Sequence, residues 1–309
     1  MSDSVPKTVD SWFNRRGWRD IIIGAPYLWL VLFFLFPFFI VVVMSFAKTV
    51  SQSPPFAFLA DWPYIRWEAY NRLITDSLYI RSFFISIYNA SVATVLCLLI
   101  GYPMALGITR VGRSAQRLLL MLIILPFWTS FLLRVYAWIG LMGKNSWFNL
   151  DLTAAYNAVV PQSWVIDSIQ IMNTNFAVVL VMVYSYLPFM ILPLYANLER
   201  LDTTLNEAAM DLGSKPWQVF KDVTLPLSVP GIIAGGLLVF IPAAGELIIP
   251  SLVGNAADPM LGRVIQQEFG SNRDWPMASA VAVALLLFLV GPLIIYNYFS
   301  AKAEAGVKA

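Results

Sequence analysis

Histidine is absent from all 309 residues, and cysteine occurs once, at Cys97. Without an imidazole, zinc-deaminase, metalloprotease and Ser-His-Asp chemistry are excluded together. A single thiol rules out an internal disulfide and leaves redox compartment unread. Charge is scarce as well, at 12% of residues, against about 25% in soluble domains. The net charge of +2 gives no electrostatic footprint for nucleic acid. Gly143-Lys144 is followed by Asn145 and lacks the upstream glycine of a GxxxxGK(S/T) loop. The chain therefore offers no phosphate cradle with which to hydrolyse a nucleotide. No tandem repeat, low-complexity tract or flexible linker interrupts it.

What is abundant is apolar: 59% of residues, with a mean hydropathy of +0.71. This is a membrane composition. Six apolar runs stand out: Ile21 to Phe46, Phe83 to Thr109, Leu118 to Met142, Asn173 to Leu198, Pro230 to Val253 and Pro276 to Ser300. Each exceeds the ~20 residues a helix needs to cross a ~30 Å hydrocarbon core. The first is far longer than a signal-peptide core and is read as a retained span. The expected fold is all-α, with six transmembrane helices in one domain over 21–300. Polar tails cover 1–20 and 301–309.

Orientation follows from the basic residues in the flanks. With the N-terminus cytoplasmic, the inner segments hold twelve: Lys7, Arg15, Arg16, Arg19, Arg110, Arg113, Arg117, Arg200, Lys215, Lys221, Lys302 and Lys308. The outer segments hold seven: Lys48, Arg66, Arg72, Arg81, Lys144, Arg263 and Arg273. Both termini and the 199–229 loop are expected in the cytoplasm. The outer loop 47–82 interleaves Trp62, Tyr64, Trp67 and Tyr70 with charges, which suits the membrane interface. Loops 143–172 and 254–275 are read as shorter and polar. None is large enough for a solute-binding domain, so capture of an external solute needs a separate protein.

Prolines at 37, 103, 126, 188, 193 and 242 fall inside spans, as tolerated kinks or as walls of a bent, cavity-lining bundle. Gly231 and Gly235 form a GxxxG pair that permits close helix approach. Two ionisable residues lie within spans, Arg134 and Glu246. Each is 16 residues beyond the cytoplasmic start of its run, or ~24 Å at 1.5 Å per residue, so the two could meet at equal depth. Arg134 either snorkels to the outer interface or pairs with Glu246. Glu246 either fixes packing or faces a pathway for a cationic solute. Tyr184 and Tyr186 are core residues or cation–π contributors to that pathway.

The segment between the fourth and fifth runs has the grammar of two short helices. Thr204 and Glu207 form a capping box, and Gly213 supplies a left-handed stop. Ser214 is placed to cap a second helix, with Pro216 in its first turn. Trp217, Phe220 and Val223 are spaced along one side, and Leu225-Pro226 is read as the end. Such a knob on an aqueous face suggests docking onto a partner.

Glu207-Ala208-Ala209, then Gly213, then Leu225-Pro226 resembles the EAA loop of bacterial ABC importer permeases, with Val223 where isoleucine is usual. Leu125-Pro126-Phe127-Trp128-Thr129-Ser130 through Arg134-Val135-Tyr136-Ala137-Trp138, Phe240-Ile241-Pro242 with Gly245-Glu246, and Asn272-Arg273-Asp274-Trp275-Pro276 extend the resemblance. They look like spermidine/putrescine permeases of the PotB/PotH type, over about Pro26 to Ser300. The resemblance implies a type I (MetI-like) permease in the bacterial inner membrane, one of two non-identical subunits. Two ATPase subunits would bind the loop through Glu207, Ala208, Ala209, Gly213, Trp217, Phe220, Leu225 and Pro226. ATP and magnesium would reside there, with no cofactor or metal in this chain. A periplasmic binding protein would deliver the solute. Permeases of this scaffold for amino acids or other organic ions remain open as alternatives. An ion-coupled secondary transporter finds little support in one buried carboxylate and no histidine. An intramembrane protease finds none, as no aspartate lies in a span.

Overall fold

The computed structural model describes residues 16–50, 53–57 and 66–307. Lys7, Arg15, Trp62, Tyr64 and Lys308 lie outside the described residues. The chain divides into two compact units, residues 1–75 with 268–287, and residues 76–267 with 288–309.

In the first unit the leading helix runs as α1 Arg16–Leu30, a wide π turn Val31–Leu35, and α2 Phe36–Met44. The turn is closed by the Phe36 N–H donating to the Val31 carbonyl, just ahead of Pro37. A proline removes one N–H and crowds the carbonyl four residues back. Widening the preceding turn relieves that crowding, so the helix continues. Side chains from Ile22 to Phe36 are exposed all round. An apolar helix of that kind is stable in lipid or against an apolar partner.

Strands β1 Lys48–Thr49 and β2 Phe56–Ala57 pair antiparallel, followed by α3 Glu68–Thr75. Phe46 packs its ring on Trp67 and Tyr70, with centroids 5.3 and 5.1 Å away. Asp274 ties this unit together. It accepts from Thr49 Oγ1 at 2.6 Å, Arg72 Nη1 at 3.2 Å and the Met277 N–H at 3.1 Å. The last contact satisfies an orphan donor in the first turn of the final helix, Trp275–Val307. Trp275 stacks on Phe269 at 4.8 Å. The Asn272-Arg273-Asp274-Trp275-Pro276 stretch is thus a helix start that anchors the hairpin and α3.

The second unit is built on three long helices. Helix α4, Ser77–Thr109, is capped by Asp76, which accepts from the Leu78 N–H. Further along the chain, α8, Asn175–Leu198, is capped by Thr174. The third begins as Pro216–Val219, passes a second π turn at Phe220–Thr224 and continues as Leu225–Ala244. It is one apolar helix of 29 residues, Pro216–Ala244. Small residues set the distances between these helices. A Cβ on Gly101 would stand 3.1 Å from Met190 Cγ. On Gly231 it would meet Asn197 Cβ at 2.7 Å, and on Gly235 Met190 Sδ at 2.8 Å. The GxxxG pair is a packing feature, as its spacing indicated.

Among the described residues four helices are long and apolar enough to cross a membrane: Ile22–Met44, Ser77–Thr109, Asn175–Leu198 and Pro216–Ala244. The third expected span differs. Instead of one helix over Leu118–Met142, α5 Arg113–Ile124 leads into a 3-10 turn, Leu125–Trp128, and the chain breaks at Thr129. Beyond Ser130 run α6 Phe131–Met142 and α7 Trp147–Val159, and Arg113–Trp128 and Phe131–Val159 meet at 90°. Pro126 cannot extend the helix, and Thr129 in extended backbone caps the turn by donating Oγ1 to the Pro126 carbonyl at 2.8 Å. Bent as it is, this pair makes at most a fifth span, and the final helix has a shorter apolar part, Trp275–Gly291.

The 143–172 loop is not simply polar. It holds α7, whose Trp147, Leu150 and Val159 are exposed, the last at 86%. The expected fifth span over Pro230–Val253 is two elements, the long helix ending at Ala244 and a short one at Ile248–Val253.

Candidate coupling knob and intramembrane site

The knob opens on Asp202, whose Oδ1 accepts the Thr204 N–H at 3.0 Å. Asp202, not Thr204, is the capping residue of the helix Thr203–Asp211. That hydrogen bond holds the exposed carboxyl below its ordinary value of 3.8. With the cap two residues earlier than expected, Glu207 sits mid-helix and the Thr204–Glu207 box does not form. Glu207 and Ala208 are exposed, and Ala209 is half-buried.

Gly213 stops this helix with φ +90°. The Ser214 N–H donates to the Ala209 carbonyl at 3.1 Å and the Gly213 N–H to that of Met210 at 2.8 Å, a Schellman closure. Ser214 is engaged in that closure, so Lys215 takes the next N-cap position. Its N–H donates to Gln218 Oε1 at 2.7 Å, and Pro216 opens the helix. Leu225-Pro226 does not end this second helix. The π turn ahead of it, closed by Leu225 N–H on the Phe220 carbonyl, carries the chain past Pro226. Thr224 Oγ1 donates to Asn206 Oδ1 at 3.2 Å and ties the two knob helices. The knob is therefore rigidly continuous with the membrane helix above it.

Trp217 is 69% exposed and stacks on Phe220 at 5.4 Å. Phe220 is half-buried, edge-on to Tyr102 at 5.7 Å, so it is largely an internal contact. Leu225 is half-buried and Pro226 exposed. Sequence reasoning missed Leu212, which is 88% exposed beside Gly213, and the exposed Leu205 and Met210. A leucine at a helix C-cap ahead of a left-handed glycine was the available signal.

At its other end the 216–244 helix stops at Gly245, and Glu246 follows, only 9% exposed. Its Oε1 accepts the N–H groups of Ile248 at 2.9 Å and Ile249 at 3.4 Å, and its Oε2 accepts the Tyr186 hydroxyl. Gly262 lies against the carbonyls of Gly245 and Glu246, where any Cβ would come within 2.6 Å. This buried carboxylate is fully hydrogen-bonded, which removes most of the cost of holding it in an apolar setting.

Arg134 is not its partner. The 90° turn makes the equal-depth argument void, and among the described residues no ion pair joins Arg134 to Glu246. Its guanidinium lies 5.5 Å from the Phe127 ring centroid and 5.6 Å from that of Phe131. Arg134 Nε is buried without a hydrogen-bond partner. Tyr184 is two residues from Tyr186 and faces elsewhere. It packs edge-on to Trp138 at 5.5 Å and lines an apolar cavity of about 540 Å³. The geometry thus brings Glu246 and Tyr186 into contact, and among the described residues neither Arg134 nor Tyr184 makes an ion pair or hydrogen bond to that carboxylate.

Residues 97–304 match the family described as "Binding-protein-dependent transport system inner membrane component". The chain is 38% identical over 288 residues to the spermidine/putrescine transport system permease protein PotB of Haemophilus influenzae, covering 93% of this chain and 95% of the relative. Among solved structures it resembles a chain of a bacterial alginate ABC transporter in complex with an alginate pentasaccharide-bound periplasmic protein. The TM-score is 0.70 at 16% identity, covering 92% and 96% of the two chains. An inward-facing MetNI methionine ABC transporter gives a TM-score of 0.51 at 18% identity, covering 73% and 95%. These two likenesses are of fold.

Proposed function

The chain belongs to the family of binding-protein-dependent transport system inner membrane components, and on that premise we propose that it is one of two permease subunits of an ATP-driven polyamine importer. It is a transport component of the inner membrane and not an enzyme. The observation that carries the polyamine reading is the near-full-length similarity to a spermidine/putrescine permease. The domain is 21–300, both termini and the 199–229 loop face the cytoplasm, and two ATPase subunits hold ATP and magnesium. A periplasmic binding protein delivers the solute.

Coupling runs through the 216–244 helix. Glu207, Ala208, Ala209 and Trp217 contact the ATPase, while Gly213 sets the angle between the knob helices. At 1.5 Å per residue, 29 residues span about 43 Å, so a tilt at the knob displaces the far end, where Glu246 follows. A helix is stiff along its axis, and the π turn at 220–224 keeps it unbroken. Glu246 supplies the negative charge that meets the ammonium group of the solute, and Tyr186 holds its carboxylate in place. Arg134 borders the pathway, whereas Tyr184 faces the apolar cavity and stands outside that pathway.

Uptake of labelled putrescine into proteoliposomes, with the second permease, the ATPase and the binding protein present, tests this. ATP-dependent uptake is expected, and Glu246→Gln is expected to lower it about tenfold, the effect of ~1.4 kcal/mol on the barrier. Uptake unchanged in rate and concentration dependence in that variant would remove Glu246 from the pathway. Transport of another solute with none of polyamine would overturn the substrate.

A further inference from the structure

Two cavities in the second unit share helices α5 and α8. The larger, about 540 Å³, is walled by apolar side chains of α4, α5 and α8, among them Ile108, Leu122, Leu187 and Ile191. One proline from each side, Pro103, Pro126 and Pro188, stands in its wall. A Cβ on Gly107 would meet nothing within 4 Å, so the wall is open there. The smaller cavity, about 390 Å³, is lined by Arg113, Gln116, Arg117, Tyr195 and Glu199, with Leu120.

The two succeed one another along one face. On α8 and its C-cap, Tyr184, Leu187, Ile191, Tyr195 and Glu199 are spaced by three or four residues and lie in one row. The row leads from an apolar groove at mid-span to a polar cup beside the 110–112 loop. Arg113 and Arg117 are exposed. Among the described residues neither makes an ion pair or a side-chain hydrogen bond. Two guanidinium groups against the single carboxylate of Glu199 leave the cup net positive, with Arg110 adding to the field from the loop.

We propose that this row is a binding site for one anionic phospholipid, its acyl chain in the groove and its phosphate between Arg113 and Arg117. An apolar helix of another subunit would fill the groove and leave the two arginines unanswered. A soluble anion would answer the arginines and leave the groove empty. A molecule with a long apolar tail and an anionic head satisfies both, and basic cups between membrane helices are suited to such heads. The site is independent of the polyamine reading and requires only that the chain lie in a bilayer.

The full-length chain, purified with its partner subunits, is exchanged into dioleoyl-phosphatidylglycerol or dioleoyl-phosphatidylcholine, and retained lipid is counted by native mass spectrometry. No solute or ATP is added, so the readout is separate from transport. One phosphatidylglycerol per chain is expected, held at least tenfold better than phosphatidylcholine. The double variant R113Q/R117Q should abolish that preference, and Leu122→Trp should lower retention of both lipids. Equal retention of the two lipids by the native complex overturns the proposal, as does an unaltered preference in the glutamine variant. A Gly107→Cys chain that crosslinks to the second permease subunit and refuses apolar maleimides assigns the groove to that subunit instead.

Discussion

Glu246 is held by three donors, and this decides which substitution is informative at the scale of single residues. A glutamine keeps an oxygen for the Ile248 and Ile249 N–H groups while removing the charge. Alanine would remove both and leave two amides and the Tyr186 hydroxyl unanswered, so its effects mix folding with passage. Asp202 offers a second residue-scale prediction. Its carboxyl is depressed in the folded chain, so its contribution to the helix start is present above the ordinary value of 3.8 and is lost as pH falls through the lower, folded value. Protection of the Thr204 amide, taken relative to its intrinsic exchange rate at each pH, should fall below that range, and Asp202→Ala should show the low protection at every pH. Protection in the native chain that is unchanged through acid would remove the cap.

The elements are shaped by where their prolines fall. Ahead of Pro37 and Pro226 a π turn absorbs the ring, and the helix runs on. At Pro126 no such turn precedes, a 3-10 turn forms, and the chain leaves at 90°. Glycines then set how close the helices come. Gly235→Ala places a methyl 2.8 Å from Met190 Sδ and 3.0 Å from its carbonyl oxygen, whereas the nearest atom to Gly236→Ala is 3.8 Å away. The first should destabilise by about 1–3 kcal/mol through overpacking. The second should be neutral or slightly stabilising, since alanine favours helix. Thermal unfolding of the two variants side by side checks this, and equal melting temperatures would refute the close packing of the 216–244 helix on α8.

At the scale of the molecule, the knob, the long helix and the Glu246 node form one continuous piece. Trp217 and Leu212 are the exposed side chains beside the Gly213 turn, while Phe220 is tied inward to Tyr102. Trp217→Ala with Leu212→Ala should weaken co-purification of the ATPase subunit by at least about 2 kcal/mol, as loss of an aromatic anchor does, and leave melting unchanged. Phe220→Ala should do the reverse, lowering the melting temperature first. A double variant that binds the ATPase normally would move the docking surface elsewhere.

The class of the molecule was readable in the sequence because hydropathy, the missing histidines and the missing phosphate loop are properties of the chain in any conformation. The Glu207-Ala208-Ala209-Gly213 spacing was legible for a related reason: a helix stop commonly needs a positive φ, and glycine takes it without steric cost, as Gly213 does. Helix ends were read less well. Asp202 and Thr204 are both competent caps, and the choice between them depends on where the incoming chain turns. Depth failed at Arg134 because 1.5 Å per residue holds only along an unbroken helix, and the break at Thr129 follows from a turn geometry with no sequence period. That Tyr186 and not Arg134 meets Glu246 was decided by tertiary structure alone. Those two residues are 60 apart in the chain, and only the packing of the 216–244 helix against α8 brings the hydroxyl to the carboxylate.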